Sequence, residues 1–343
     1  MKIGIIGLPN TGKSSLFKLI TKSSVHIANY PFTTIDPNHG IVFVPDKRLD
    51  QLNKLLSPEK KTNATIEFVD VAGLVKNAHK GEGLGNRFLS HIRDVDMVVH
   101  VLRAFDIEEA PFVYETIDPK RDMELVETEL ALADLEIVEK RIEKIRKVSE
   151  KKEEYEMLVE IKERLGKNEP IEITDPKKQK LLKGMGILSY KPSLLLLNCS
   201  PYKKWEGWIP EEGYLLSVKL EEEMEEFKEE EKREMRRELG LDERGVNGLI
   251  ERVFEILGLV KFYTIKGKEI RAWAIPEGTS VYEAAGKIHS DMQKGFIKAE
   301  VIPFDRFMEY KDYKKAHEDG AVHVEGKEYT VKDGDIILIK FKI

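Results

Sequence analysis

The chain has 343 residues, a formal net charge of −6 and 34% charged residues. This length exceeds what one ordinary core accommodates, so we expect two or three domains. The mild acidity gives no electrostatic argument for nucleic acid, a membrane surface or an acidic substrate. The single cysteine, Cys199, excludes an intramolecular disulfide, and no apolar run approaches the roughly 20 residues of a membrane helix. These features predict a cytoplasmic protein.

Short β-branched runs alternate with helix-like segments in the first third of the chain. The runs, which end near Gly, Pro, Asp or Asn, are KIGIIG, GIVFVP, TIEFVDV and DMVVHVLRAF. This alternation is typical of an α/β domain with buried strands. Strand patterns return much later, at SLLLLN and GYLLSV. We therefore predict an α/β domain over residues 1–120 and 191–257.

A charge-rich helical stretch separates the two parts of that domain. Apolar residues at a 3-4-3 spacing form one narrow seam in it, at Leu135, Val138, Ile142 and Ile145. Such a seam needs a partner helix, and the same spacing recurs at Leu158, Ile161 and Leu165. The spacing predicts a helical hairpin, which forms an inserted arm over residues 121–190.

The pattern changes again from about Gly258. The stretch EIRAWAI alternates, Ser280 and Glu283 have the spacing of a capping box, and the chain ends in the strand pattern DGDIILIKFKI. Strands around one helix predict a small separate domain over residues 258–343.

The stretch GLPNTGKS, residues 7–14, matches the phosphate-binding motif G-x-x-x-x-G-K-[ST] between a strand and a helix. Its glycines allow backbone N–H groups to surround phosphates, Lys13 supplies a point charge to the β- and γ-phosphates, and the Ser14 hydroxyl ligates Mg²⁺. The predicted nucleotide-binding residues here are Asn10, Thr11, Gly12, Lys13, Ser14 and Ser15.

A P-loop also requires a carboxylate at the end of a neighbouring strand. The run TIEFVDVAG supplies Asp70, which we expect to hold Mg²⁺ through water, and Gly73, whose N–H reaches a γ-phosphate. The loop YPFTTIDPN lies between the two motifs, and Thr33 or Thr34 completes the metal shell when a triphosphate is bound. Lys13 and Gly73 are thus the predicted catalytic residues.

Five segments together resemble the YchF or Obg-like ATPase subfamily of the Obg-related P-loop GTPases. They are GLPNTGKSS, NYPFTTIDPNHG, DVAGLVKNAHKGEGLGNRFL, ETELALADLEIVEKRIEKI, and the tail from GFIKAEV to DGDIILIKFKI. The resemblance spans essentially the whole chain. It implies a Ras-like G domain, an inserted helical (coiled-coil) arm and a C-terminal TGS domain of β-grasp type. It also implies that Thr34, rather than Thr33, is the metal ligand.

Two residues bear on hydrolysis. Leu74 follows DVAG, where many GTPases place a glutamine that orients the attacking water, and an aliphatic side chain makes no such hydrogen bond. We therefore expect slow turnover without a partner. Related GTPases with Asn at the position of Asn10 bind K⁺ beside the phosphates, so Asn10 is either a K⁺ ligand or only a turn residue.

The run LLLLNCSP stands where GTPases carry N-K-x-D, whose carboxylate accepts hydrogen bonds from guanine. Here Asn198 and Cys199 lead to Pro201, and no carboxylate follows. The subfamily usually has an acidic residue at that fourth position and prefers ATP, so Pro201 departs even from its relatives. We expect weak guanine selectivity. The loop SVKLE corresponds to the segment that covers the base, through Ser217, Val218 and Lys219.

The family context of translation GTPases implies the ribosome or ribosomal RNA as a partner, and Lys287, Lys294 and Lys298 form a cationic cluster for it. A plain protein-binding β-grasp module is the alternative for that domain. For the whole chain, the first hypothesis is a monomeric Mg²⁺-dependent nucleoside triphosphatase that switches with its nucleotide. The alternatives are a non-hydrolysing nucleotide sensor that switches protein partners, and a helical scaffold with a relic P-loop.

Overall fold

The computed structural model of the chain describes residues 1–25, 38–71, 89, 92–106, 114 and 116–342. Contacts divide the chain into two compact units, and each unit takes two separate stretches of sequence. Unit 1 comprises Met1–Val42 and Glu67–Leu249, and unit 2 comprises Phe43–Ile66 and Ile250–Ile343.

The strands, in chain order, are β1 (Lys2–Ile6), β2 (His39–Phe43), β3 (Lys60–Thr62), β4 (Thr65–Asp70), β5 (Met97–Ala104), β6 (Ser193–Cys199), β7 (Tyr214–Leu216), β8 (Leu259–Lys266), β9 (Glu269–Pro276), β10 (Phe296–Pro303), β11 (His323–Glu325) and β12 (Asp335–Phe341). The α-helices are α1 (Lys13–Val25), α2 (Lys47–Leu56), α3 (Pro119–Ile145), α4 (Lys152–Gly166), α5 (Pro176–Met185), α6 (Val218–Glu223), α7 (Glu229–Glu238), α8 (Gly245–Ile256), α9 (Val281–Ile288), α10 (Ser290–Lys294), α11 (Phe304–Tyr310) and α12 (Tyr313–Glu318). Within the described residues, no helix is long and apolar enough to cross a membrane.

Unit 1 is built on a six-stranded sheet in the order β2-β4-β1-β5-β6-β7. The pairings of β1 with β4 and β5, and of β6 with β5 and β7, are parallel. Every residue of β5 is buried. This burial explains why the strand is almost continuously apolar in the sequence. The predicted α/β fold with a P-loop is confirmed.

The predicted arm is a helical hairpin of α3 and α4, followed by α5. Asp118 caps α3 by accepting a hydrogen bond from the Arg121 N–H (3.0 Å), and Pro119 opens the helix. The seam predicted from the spacing packs as one cluster whose buried members include Val138, Ile145, Leu158, Ile161 and Leu165. The predicted hairpin is therefore confirmed, because each helix buries its apolar stripe on the other.

Unit 2 is built on a second six-stranded sheet, in the order β11-β10-β12-β8-β9-β3. Helix α9 begins with the predicted capping box, in which Ser280 Oγ accepts from the Glu283 N–H at 3.3 Å. Ile337 and Ile339 of β12 lie in the core beneath this helix. The predicted sheet domain is confirmed, but the expectation of one helix is wrong, because three further short helices, α10 to α12, accompany α9.

Residues 43–66 join unit 2 through a strand and a buried hydrogen bond. Strand β3 pairs in parallel with β9, with Lys60 opposite Glu269. The Tyr263 hydroxyl contacts both carboxylate oxygens of Asp46, at 3.0 and 3.1 Å. Residues 43–66 lie between the P-loop and Asp70 in the sequence, so they are predicted to belong to the first domain. The domain boundaries stay a prediction, and the contacts group 43–66 with the C-terminal strands.

Candidate nucleotide site

The P-loop, residues 7–14, joins β1 to α1 through two glycines in positive-φ conformations. Gly7 has φ +143° and Gly12 has φ +94°, a region that side-chain-bearing residues rarely adopt. A Cβ atom on Gly7 would lie 2.4 Å from Val101 O, and one on Gly12 would lie 2.3 Å from Asn198 Nδ2. The loop therefore needs glycine at both positions for its backbone shape and for its close packing on β5 and β6.

Lys13 is held against the P-loop rather than extended into water. Its side chain is 5% exposed, and its Nζ donates to Leu8 O at 2.5 Å. Burial lowers the pKa of Lys13 to about 8, and the charge of Asp70 opposes this shift. The structure thus brings the predicted lysine and the predicted metal-site carboxylate into one electrostatic site.

Two elements of this site carry oxygen atoms of the kind that bind metals. Ser14 and Ser15 are exposed in the first turn of α1, directly after Lys13. Asp70 is the last residue of β4 and is aligned with Ile5 near the end of β1. Hydroxyl and carboxylate oxygens are the hard donors that Mg²⁺ prefers. The chemistry of this donor pair therefore fits the metal expected from the sequence.

The remaining predicted residues of the phosphate and metal sites, Thr34 and Gly73, lie outside the described residues, and their roles stay predictions. No group of three His, Cys, Asp or Glu side chains that could hold a metal occurs in the described part of the chain. This finding is compatible with Mg²⁺, which keeps several waters and usually takes only one or two carboxylates besides substrate phosphates.

Asn198 joins the P-loop to the base-side loop. It is 5% exposed, its Nδ2 donates to Thr11 O at 3.0 Å, and its Oδ1 accepts from the Val218 N–H at 3.0 Å. Ser217, which is fully buried, caps α6 by accepting from the Leu220 N–H at 3.3 Å. Three of the predicted nucleotide-binding segments therefore form one hydrogen-bonded assembly.

The other two predicted base-side residues differ in exposure. Cys199 is 2% exposed and packs in an apolar cluster with Met224, so its side chain contributes to the core. Lys219 is exposed at the start of α6, where its Nζ lies 3.6 Å from Glu223 Oε1. A contact of Cys199 with a base would have to use its backbone, whereas the stem of Lys219 is accessible. Both assignments stay predictions.

Arg103, in β5, was not singled out in the sequence analysis. Its side chain is 1% exposed, its NH1 donates to Asn10 O at 3.0 Å, and its Nε donates to Phe105 O at 3.0 Å. The guanidinium lies 4.3 Å from the centroid of the Phe105 ring. The signal in the sequence is an arginine within an otherwise apolar strand, because a buried charge persists only where it finds partners.

His100, in the same strand, is a second polar residue that the sequence motifs did not identify. It is 3% exposed, and no hydrogen-bond partner of its Nε2 occurs among the described residues. Burial, followed by the charge of Lys13, lowers the pKa of His100 to about 3. The imidazole is therefore neutral at physiological pH and lies within the electrostatic range of the P-loop lysine.

The cationic residues predicted for partner binding lie on three elements of unit 2. Lys287 and Lys294 are exposed on α9 and α10. Lys298 is half-buried in β10, directly opposite Lys340 of β12. Lys298 and Lys340 thus place two positive charges side by side. The Nζ atom of Lys340 lies 3.2 Å from Glu300 Oε2. Glu300 therefore offsets the charge of Lys340, the neighbour of Lys298.

Two sequence families match the chain. Residues 2–156 match the family described as "50S ribosome-binding GTPase". Residues 259–342 match the family YchF-GTPase_C, described as a protein of unknown function. The two matches lie on the P-loop side and on the C-terminal strands, respectively.

Curated relatives match over almost the entire chain. The "Ribosome-binding ATPase YchF" of Bacillus subtilis (strain 168) is 41% identical, with 99% of each chain covered. The protein of the same name from Escherichia coli O157:H7 is 40% identical, covering 100% of this chain and 99% of the relative. The matched lengths leave no large part of either relative without a counterpart here.

Solved structures give the same result for the fold. The structure of the Schizosaccharomyces pombe YchF GTPase superposes with a TM-score of 0.86 at 34% identity, covering 99% of this chain and 97% of that one. A GTP binding protein from Pyrococcus horikoshii OT3 superposes with a TM-score of 0.60 at 20% identity, with full coverage of both chains. The second likeness concerns the fold alone.

Proposed function

Because the chain belongs to the YchF family of P-loop NTP hydrolases, we propose that it is a Mg²⁺-dependent hydrolase that accepts ATP at least as well as GTP. We propose further that the state of the bound nucleotide controls its association with the ribosome. The observation that carries the proposal is the assembly of Lys13, Asp70 and Asn198 around one P-loop.

The residues of this assembly have distinct tasks in phosphoryl transfer. Lys13 leaves Leu8 O and moves its point charge to the β- and γ-phosphates, where charge develops as the γ-phosphate departs. Asn198 fixes the position of the P-loop relative to the base-side loop through its hydrogen bonds to both. Ser14, Asp70 and the predicted ligand Thr34 would hold Mg²⁺, which neutralises charge on the phosphate oxygens when bound. Asn10 is the residue that would hold K⁺.

The base preference depends on the residue three positions after Asn198. Pro201 has no side-chain acceptor for the N1–H and exocyclic amine of guanine, so the usual discrimination against adenine is missing. The relatives are named ribosome-binding ATPases, and this name supports the use of ATP. Competition titration with both nucleotides tests it. A GTP preference above about a hundredfold, or roughly 2.7 kcal/mol, would show that another carboxylate reads the base.

Phosphate release by the purified protein tests hydrolysis. We expect sustained turnover that Lys13→Ala abolishes, and a loss of Mg²⁺-dependent rate in Ser14→Ala and Asp70→Asn with residual nucleotide binding. Nucleotide binding without turnover would favour the non-hydrolysing sensor. Unchanged rates in both metal-site variants at limiting Mg²⁺ would refute the metal assignment.

Ribosome association is supported by the names of the relatives and of the N-terminal family match. We expect co-sedimentation with ribosomes to differ between ADP and a non-hydrolysable ATP analogue. If Lys294 and Lys298 touch phosphates, binding weakens as salt rises, with a slope of about 0.9 per neutralised phosphate. Removing both lysines then lowers the slope, whereas Lys314→Ala, an exposed lysine of the same unit, leaves it unchanged. Identical pelleting in all conditions contradicts this part.

A further inference from the structure

Arg103 donates a hydrogen bond to the one P-loop residue with a side chain that has a left-handed backbone conformation. The carbonyl that accepts from Arg103 NH1, at 3.0 Å, belongs to Asn10, whose φ is +59°. A left-handed conformation is uncommon for a residue with a side chain and persists only where its surroundings enforce it. The hydrogen bond from a rigid, buried guanidinium is such an enforcing contact.

This contact also sets the direction of an N–H group. In a planar trans peptide, the carbonyl of one residue and the N–H of the next point in opposite directions. When Arg103 holds Asn10 O at the back of the loop, the N–H of Thr11 must point to the front. The front is the side on which a P-loop surrounds phosphates with N–H groups. Arg103 therefore orients a phosphate-binding group that it does not touch.

The guanidinium is in turn linked electrostatically to the arm. Helix α3 packs against β5, and Asp122, in the first turn of α3, is 1% exposed, as is Arg103. Burial lowers the pKa of Arg103 and raises that of Asp122, and the opposite charge of each residue partly offsets the shift of the other. Asp122 Oδ1 accepts from Arg121 at 2.9 Å, while Oδ2 has no hydrogen-bond partner among the described residues. A buried carboxylate with one unsatisfied oxygen depends strongly on nearby positive charge.

We propose that Arg103 is a positioning residue that orients the Thr11 N–H toward the phosphates, and that Asp122 links it to the first turn of the arm helix. The inference rests on the proposed function insofar as a nucleotide occupies the P-loop. It adds a path by which the arm and the nucleotide site influence each other, since both depend on one buried guanidinium.

The test compares three variants with the wild type. Arg103→Met removes charge and donors, Arg103→Lys keeps the charge but lacks the planar fork, and Arg237→Met, which removes an exposed ion pair with Glu243, is the control. We expect about a tenfold weaker nucleotide affinity and a similar rise in KM for Arg103→Met, with kcat changed less than threefold. Arg103→Lys should recover part of the loss, and Arg237→Met should stay within about twofold of the wild type.

Hydrogen exchange separates this inference from the proposed function, because it needs no nucleotide. Amides of residues 10–13 in the nucleotide-free protein should exchange faster in Arg103→Met than in the wild type, with β1 and β4 unchanged. Equal protection of the P-loop in both proteins, or an unchanged KM, would overturn the positioning role. A wild type that binds no nucleotide would refute the proposed function alone and leave the exchange result decisive.

Asp122→Asn tests the link to the arm and serves as the second variant if Arg103→Met does not fold. We expect about a threefold change in nucleotide affinity in the wild-type background and none in the Arg103→Met background. Additive effects of the two substitutions would overturn the link, because residues that act through one another are not independent.

Discussion

Arg103 and Asn198 are aligned on β5 and β6, and their side chains donate to consecutive carbonyls of the P-loop, Asn10 O and Thr11 O, each at 3.0 Å. Two neighbouring strands thus hold two successive peptide units from behind. The loop owes its shape to the sheet as well as to its own glycines, because buried carbonyls need partners.

Asn198→Ala should weaken nucleotide binding at least tenfold for ATP and GTP alike, since it leaves Thr11 O and the Val218 N–H without their partner. The free energy of unfolding should fall by about 1–3 kcal/mol. Fluorescence titration and urea denaturation measure the two effects. Asn63→Ala is the control, because Asn63 Nδ2 donates to Val44 O at 3.0 Å within unit 2. It should lower stability only, and an equal loss of affinity in both variants would argue against a local role of Asn198.

The Cys199 thiol should resist modification in the folded protein. Burial raises its pKa to about 12, from an ordinary value of 9.0, so about one thiol in ten thousand is ionised at pH 8. Labelling with a disulfide reagent should therefore follow opening of the nucleotide-binding unit and slow further when nucleotide is added. One thiol per chain should react in denaturant. Rapid labelling under native conditions would contradict the burial.

The same thiol gives a pH dependence of known sign. Because its folded-state pKa lies above the unfolded value, its contribution to stability is fully present below pH 9 and is lost as the pH rises toward 12. Cys199→Ala should flatten this part of the stability profile measured by denaturant unfolding. An unchanged slope would mean that other groups dominate it.

Asp134→Ala should destabilise the segment around Leu188 and Ser189, where the chain leaves the arm and approaches β6, without affecting nucleotide affinity. Asp134 is fully buried, and its carboxylate accepts from the Leu188 and Ser189 N–H groups at 2.9 and 2.7 Å. The variant leaves two N–H groups unsatisfied, which we expect to lower the free energy of unfolding by about 2–4 kcal/mol. Limited proteolysis should then cleave near residues 186–190. Glu136→Ala, at an exposed position of the same helix, should behave as the wild type.

A chain that ends at residue 257 should not be a stable nucleotide-binding fragment. It lacks β9, which pairs with β3 and packs against α2, a helix whose Leu49 and Leu52 are fully buried. We expect aggregation or dye binding to exposed apolar surface. Lys268→Ala in the full chain removes only the exposed ion pair with Glu59 and should change stability by less than about 1 kcal/mol. A soluble fragment with wild-type affinity would contradict the expectation.

The sequence allowed the P-loop, the arm hairpin and the C-terminal sheet domain to be predicted, because each has a local pattern. The family resemblance that these motifs indicated is confirmed by full-length relatives. Arg103 escaped prediction because its role depends on where Asn10 O points, which no spacing reveals. The pairing of β3 with β9 escaped because the strands lie about two hundred residues apart, as their numbering shows.

The path of residues 43–66 has a consequence for synthesis of the chain. These residues leave the ribosome early, yet β3 has no partner until β9 emerges, and β9 joins a sheet that is complete only with β12. Contacts of such long sequence separation form late and slow folding. During translation, α2 and β3 therefore remain without their partner strand after β5 and β6, which support the P-loop, have already been made. A newly made chain would therefore bind nucleotide stably only after β9 has paired with β3 and the second unit has closed.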